Sequence, residues 1–193
     1  MIFRVTQKLS RKIKAGPLAK RPAHENPYAD WSARVFVANR VQYILLSNTA
    51  SLFSAVMHGR GITDGQVFAT RAMECIHETM AREGLELLYL NFIANTAESP
   101  IFAKSLNCSV TGSLNEFQWH AQDSLAGDGL SPIETSAALN SIPCSPLSTP
   151  DYPSFASPKE AIRFLMAWKK THARRLLSDW LCSTTICLGI RTV

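Results

Sequence analysis

The chain has 193 residues, of which 46% are hydrophobic and 18% are charged, a composition that is ordinary for one globular domain and excludes an intrinsically disordered chain. Its net charge of +5 is concentrated at the two ends, because residues 1–22 hold seven Lys or Arg and no acid, while residues 157–193 hold seven bases and two acids. The intervening residues 23–156 hold six bases and thirteen acids, and carry a net charge of −7.

The first predicted elements are a short strand and a short helix. Residues 2–5 (IFRV) are apolar and β-branched enough to form a strand. Thr6 has the residue type of a helix N-cap, and the helix that it begins should run through Lys14. Gly16 and Pro17 then end this helix.

Three strand-like runs follow a polar loop that ends at Asp30. They cover residues 34–38, 41–47 and 52–57, and only two and four residues separate them. Connections this short join antiparallel neighbours, because a parallel crossover needs a dozen or more residues. The sequence therefore predicts a three-stranded antiparallel meander.

A long helix is predicted after the meander. Thr63 and Gln66 have the spacing of a capping box, and the helix should end near Gly84. Helical periodicity predicts that one face is buried and that the charged side chains lie away from it. The predicted buried face consists of Phe68, Ala72, Cys75, Ile76 and Met80, and the charged residues are Arg71, Glu74 and Glu78. Residues 85–90 fit a buried strand, although more helix gives the same apolar run.

Two further helix starts share one pattern, with Ser at the N-cap, Pro in the first turn and Glu at the third position. They begin at Ser131 and Ser157. Between them, residues 142–156 are rich in Pro and Ser. We therefore predict an α+β domain over residues 1–142, a linker over 143–156, and a basic amphipathic helix and tail over 157–193. The domain should contain a mostly antiparallel sheet with helices packed on it.

Neither a metal site nor a cofactor site is predicted. His77 and Glu78 begin like a zinc-protease helix, but Ala81 occupies the position of the second His. No glycine-rich phosphate loop or nucleophile elbow is present. The five cysteines are scattered singly, which indicates reduced thiols: Cys75, Cys108, Cys144, Cys182 and Cys187.

The same sequence features predict a cytoplasmic protein without a transmembrane segment. The opening residues lack the apolar run of a secretory signal. The most apolar stretch, residues 181–190, is interrupted by Ser and Thr and is about half the length that a bilayer requires.

Polar residues near turns and strand ends are candidates for ligand binding. They are Lys8, Asp30, Arg40, Lys104, Ser113 and Asn115. In an enzyme that acts on an anionic substrate, such as one that bears a phosphate, the cations would neutralise charge, the carboxylate would act as a base, and the hydroxyl and amide groups would donate hydrogen bonds. The structural alternative is that the Asn residues shape turns and that Ser113 or Asn115 caps a helix.

A binding or regulatory module without catalysis is the favoured function, because no nucleophile, acid–base pair or metal set can be assembled from the motifs. Its basic ends favour contact with a polyanion or an acidic protein, whereas solvated helix faces explain the same charges without a partner. The enzyme described above is the alternative function.

Several separated motifs, taken in order, resemble a family of uncharacterised bacterial proteins that open with MIFRxTQKL. The motifs are residues 1–9 (MIFRVTQKL), 29–31, 40–45, 56–57, 61–63 and 112–115. The similarity covers about residues 1–142. It implies a bacterial source and a single domain of unknown function, and it carries over no catalytic residue.

Overall fold

Five strands form one sheet, in the spatial order β4-β3-β2-β1-β5. In chain order they are β1 (Ile2–Val5), β2 (Asp30–Ala38), β3 (Val41–Asn48), β4 (Ser54–His58) and β5 (Ile101–Ala103). The computed structural model describes residues 1–96, 100–106, 108–144 and 157–165. Most of the predicted linker (residues 145–156) and most of the predicted tail (residues 166–193) lie outside the described residues.

The sheet is mixed. The meander β2-β3-β4 is antiparallel as predicted, with eight residue pairs between β2 and β3 and five between β3 and β4. β1 lies parallel to both of its neighbours, with four pairs to β2 and three to β5. The two-residue turn between β2 and β3 has positive φ at Asn39 and Arg40, which matches the right-handed twist of a hairpin.

Helices cover both faces of the sheet. They are α1 (Gln7–Lys12), α2 (Gly65–Arg82), α3 (Glu86–Phe92), α4 (Cys108–Ala126), α5 (Pro132–Ser141) and a helix at residues 158–165. The sheet and its helices confirm the α+β fold class.

Two separate apolar clusters fill the spaces between sheet and helices. On one face, Phe3 and Trp31 pack in a cluster with residues of α1, α2, α3 and the 158–165 helix. On the other face, Phe36, Tyr43 and Leu45 pack with residues of α4 and α5. Apolar side chains of β2, β3 and β4 alternate between these clusters, as the pleat requires.

Polar side chains of α5 cover the edge strand β4. The Asn140 amide accepts a hydrogen bond from the Ser54 N–H (2.7 Å) and donates one to the Ser54 carbonyl (2.9 Å). The Ser136 hydroxyl accepts from the Val56 N–H (2.8 Å). At the opposite edge, Ala19 forms a bridge with β5. These contacts satisfy backbone groups that an open edge would offer to another chain.

The N-terminus of α2 and the element after it differ from the predictions. Asp64, not Thr63, is the N-cap of α2, and its carboxylate accepts from the Val67 N–H (2.9 Å). The predicted strand at residues 85–90 was wrong, because this segment is α3. In a buried strand, the side chains on both faces would be buried. Here Leu85 and Tyr89 are buried and Leu87 is 75% exposed, and a spacing of four residues between buried side chains is typical of a helix.

The predicted apolar face of α2 packs into the core. Phe68, Ala72, Ile76 and Met80 are buried, while Cys75 is half-buried. The caps predicted at Ser131 and Ser157 are present as reciprocal hydrogen bonds with Glu134 and Glu160.

We predict that Ile76→Ala lowers the free energy of unfolding by about 2–5 kcal/mol, because the side chain is fully buried and its loss leaves a cavity. The matched change Glu74→Ala, on the exposed face of the same helix, should cost less than about 0.5 kcal/mol. Urea melts of both variants test the assignment, and equal losses would contradict it.

Candidate functional site

A buried arginine stands in the middle of β1. The Arg4 side chain has no exposed surface, and its guanidinium forms a bidentate ion pair with Asp30 in which Nε and Nη2 each donate at 2.7 Å. The remaining N–H groups donate to three carbonyls, those of Arg21 (3.1 Å), Pro22 (2.7 Å) and Lys104 (3.3 Å). All five guanidinium N–H groups are therefore used.

Asp30 is equally well satisfied at the start of β2. Besides Arg4, its carboxylate accepts from the Thr49 hydroxyl (2.9 Å) and from the His24 N–H (3.0 Å). Its backbone carbonyl accepts from the N–H of Thr49 (2.9 Å) and the side-chain amide of Asn48 (3.2 Å). The two carboxylate oxygens thus accept four hydrogen bonds, which indicates that Asp30 has a structural role and holds several segments together.

A small cavity lies beside this ion pair, where β1 ends and α1 begins. Its volume is about 90 Å³. Its lining residues come from β1, β2, the segment after β5 and the start of α4, and they are Arg4, Val5, Thr6, Ser32, Ala33, Arg34, Ser105, Thr111 and Leu114. Most of the polar lining groups are hydroxyls.

Arg34 is the second arginine of this cavity, and its environment differs from that of Arg4. One of its terminal nitrogens donates to the side-chain carbonyl of Asn115. Its Nε is buried and has no hydrogen-bond partner among the described residues. No described carboxylate forms an ion pair with it. Burial lowers the pKa of Arg34 from its ordinary value.

None of the six residues singled out from the sequence lines this cavity. Lys8, Arg40, Lys104 and Asn115 have exposed side chains, and Ser113 is buried in α4. Two of the six contact residues that line the cavity. Asp30 accepts a hydrogen bond from Arg4, and Asn115 accepts one from Arg34. The backbone carbonyl of Lys104 accepts a hydrogen bond from Arg4, whereas Arg40 lies in the β2-β3 turn.

The short helix α1 presents cations to the solvent. Lys8, Arg11 and Lys12 are spaced as neighbours on one helix face, which we call the basic face of α1, while Leu9 and Ile13 lie fully buried on the other side. None of the three cations forms an ion pair with a described carboxylate.

A wider groove runs along the outer surface of α2. It encloses about 290 Å³ and is lined by Gln66, Ala69, Thr70, Met73, Glu74, His77 and Tyr89. The His77 ring stacks on Tyr89, with ring centroids 4.4 Å apart. In the described part of the chain, no group of three or more His, Cys, Asp or Glu side chains is placed to hold a metal ion.

The two thiols whose surroundings are described lie in apolar sites. Burial raises the pKa of Cys75 to about 12 and that of Cys144 to about 11. Both groups are therefore protonated near neutral pH, and a protonated thiol is a weak nucleophile. Within the described ranges, no helix has the length and apolar character needed to cross a bilayer.

Comparison with known families gives a match to a domain of unknown function, DUF6933, over residues 2–161. The chain belongs to the DUF6933 family. The match includes all five strands and ends within the 158–165 helix, so the Arg4–Asp30 pair and the cavity both belong to the family domain. No curated protein matches the chain.

Sequence reasoning missed Arg4 and Arg34, although both left a signal. Arg4 is a charged residue inside the apolar run IFRV, where burial requires a partner. Residues 30–35 (DWSARV) alternate strictly between polar and apolar, which places Asp30, Ser32 and Arg34 on one face of a strand. Placing the start of β2 at residue 34 hid this pattern.

We predict that Asp30→Ala lowers the free energy of unfolding by about 3–5 kcal/mol, because it leaves the Arg4 charge buried without its partner. The control Asp128→Ala removes an exposed carboxylate and should change stability by less than about 0.5 kcal/mol. Urea melts measure both, and a loss below about 1 kcal/mol for Asp30→Ala would show that the ion pair does not hold these segments together.

Proposed function

We propose that this domain is a binding module without catalysis of its own, and that its basic ends contact a polyanion. The observation that carries the proposal is the basic face of α1, where Lys8, Arg11 and Lys12 lie together without a described carboxylate as partner. Clustered cations that are free to approach a phosphate backbone supply most of the affinity of sequence-independent nucleic-acid binding.

The surroundings of Asp30 support binding over catalysis. In the alternative enzyme this carboxylate would act as a base, but it accepts four hydrogen bonds and pairs with Arg4. A base in that position would have to give up a buried ion pair in order to take a proton, which is costly.

The C-terminal basic end begins on the domain itself. Ile162 and Leu165 are buried in the same apolar cluster as α2, and Lys159 forms an ion pair with Glu83. Residues 166–193 hold five Lys or Arg and one Asp in sequence, so they carry +4 of the net charge of +5. We propose that this tail adds to the polyanion contact and that residues 143–156 are the linker before it.

Limited proteolysis should cut the linker first, and cleavage in the meander instead would contradict this division.

We also propose a bacterial cytoplasm as the setting. The sequence motifs shared with bacterial proteins support the source, and the free thiols Cys75 and Cys144 suit a reducing compartment. Detection of the native protein in a membrane or periplasmic fraction would contradict the location.

We predict that the triple variant Lys8→Gln, Arg11→Gln, Lys12→Gln binds single- and double-stranded DNA more weakly, because it removes the three cations of the basic face of α1. The dependence of log affinity on log salt should become shallower by about 2–3 for double-stranded DNA. Fluorescence anisotropy from low to physiological salt measures both quantities.

The control is a second triple variant, Arg40→Gln, Arg60→Gln, Arg82→Gln, which removes the same charge from exposed positions elsewhere. It should keep the wild-type salt dependence. Equal losses in both variants would show that only net charge matters, and no binding by the wild-type chain would remove the proposal. Loss of binding on deletion of residues 166–193 alone would move the contact to the tail. Binding to anionic vesicles but not to DNA would make the partner a membrane surface.

A further inference from the structure

We propose that the cavity beside Arg34 is a binding site for a single oxyanion group, a carboxylate or a phosphate. This site is separate from the basic face of α1, because Arg34 lies on β2 and donates a hydrogen bond to Asn115 of α4. The proposal rests on the charge of Arg34, the size of the cavity and its place in the sheet.

Arg34 carries a charge that the described residues leave uncompensated. Arg4, which lines the same cavity, differs because it is fully buried and each of its N–H groups has an acceptor, whereas Arg34 is half-buried. Arg34 has only the neutral Asn115 as a described partner, and its buried Nε has none. The Nε atom has almost no accessible surface, so an anion in the cavity would bind the terminal nitrogens of Arg34 and compensate the charge of the guanidinium there.

The size of the cavity limits the ligand. A volume of about 90 Å³ is far below the roughly 300–1,000 Å³ of pockets that enclose drug-sized molecules. It corresponds to about three water molecules, at about 30 Å³ each in the liquid. The cavity therefore suits one ionic group, either as a free ion or as the end of a larger molecule that extends outside.

A second donor is available in the lining. The Thr6 hydroxyl accepts from the Leu9 N–H (3.4 Å), and no described acceptor receives its proton. The Ser32 hydroxyl differs, because Thr49 donates to Asp30 and therefore accepts from Ser32 (3.0 Å). Arg34 and Thr6 together would give an oxyanion one charged and one neutral donor.

The position of the cavity matches a general rule for sheets with parallel strands. Ligands bind outside the carboxyl ends of such strands, at the point where neighbouring connections diverge. β1 is the strand with a parallel neighbour on each side, β2 reached through α1 and β5 reached after α3. The cavity lies at the carboxyl end of β1, between the start of α1 and the start of α4.

The test observes the Arg34 Nε–H group directly by 15N NMR of the arginine side chains in the full chain. Sodium phosphate, phenyl phosphate and sodium acetate are titrated separately at constant ionic strength, with sodium chloride as the reference. We expect a saturable shift of one protected Nε–H signal, which is absent from the spectrum of Arg34→Lys. The Arg4 Nε–H signal should stay in place, because its acceptor is Asp30.

Three comparisons complete the experiment. Arg34→Lys keeps the charge but loses the planar guanidinium with its terminal nitrogens, and should weaken binding of the active anion by roughly tenfold or more. The control Arg60→Gln changes an exposed arginine and should bind as the wild type does. Saturation by phosphate alone identifies a free ion, and tighter binding of phenyl phosphate identifies the end of a larger ligand. An Nε–H signal that no anion shifts, or an equal loss of affinity in Arg60→Gln, would overturn the proposal and leave a water-filled polar cavity.

Discussion

The buried pair of Arg4 and Asp30 is the constraint around which the fold is arranged. Two charges removed from water are tolerated only when each is paired and the remaining donors and acceptors are satisfied. Here that requirement fixes the loop at residues 21–24, the end of β5 and the β3-β4 turn against β1 and β2, since each of these segments supplies a hydrogen bond to the pair. The parallel part of the sheet is thus joined to the antiparallel meander by polar contacts as well as by the ladder.

The donors and acceptors of the Arg4–Asp30 pair are already used within the protein, which fits a structural role for the pair. Arg34 lies four residues after Asp30 on the same face of β2. It carries the same charge as Arg4, but no described carboxylate pairs with it. Thr6 lines the cavity and is the N-cap of α1, so the basic face of α1 begins two residues after it in the chain.

Local patterns were enough to predict part of the fold. The strand at residues 2–5, the meander, the buried face of α2 and the caps at Ser131 and Ser157 all depend on nearby residues, and the structure confirms them. The parallel pairings of β1 could not be predicted in this way, because they join segments up to about 100 residues apart. The same distance separates Arg4 from the Lys104 carbonyl. The candidates chosen for their place at turns therefore included Asp30 and Asn115 but not Arg4 and Arg34, whose partners are distant in the sequence.

The Arg4–Asp30 ion pair holds several distant segments together, and hydrogen exchange of Arg4→Lys tests this role. Lysine keeps the charge but has three donors where arginine has five. We expect a joint loss of protection at residues 21–24, 48–52 and 101–104, with protection of α2 retained. Loss confined to β1, or uniform loss across the whole domain, would contradict it.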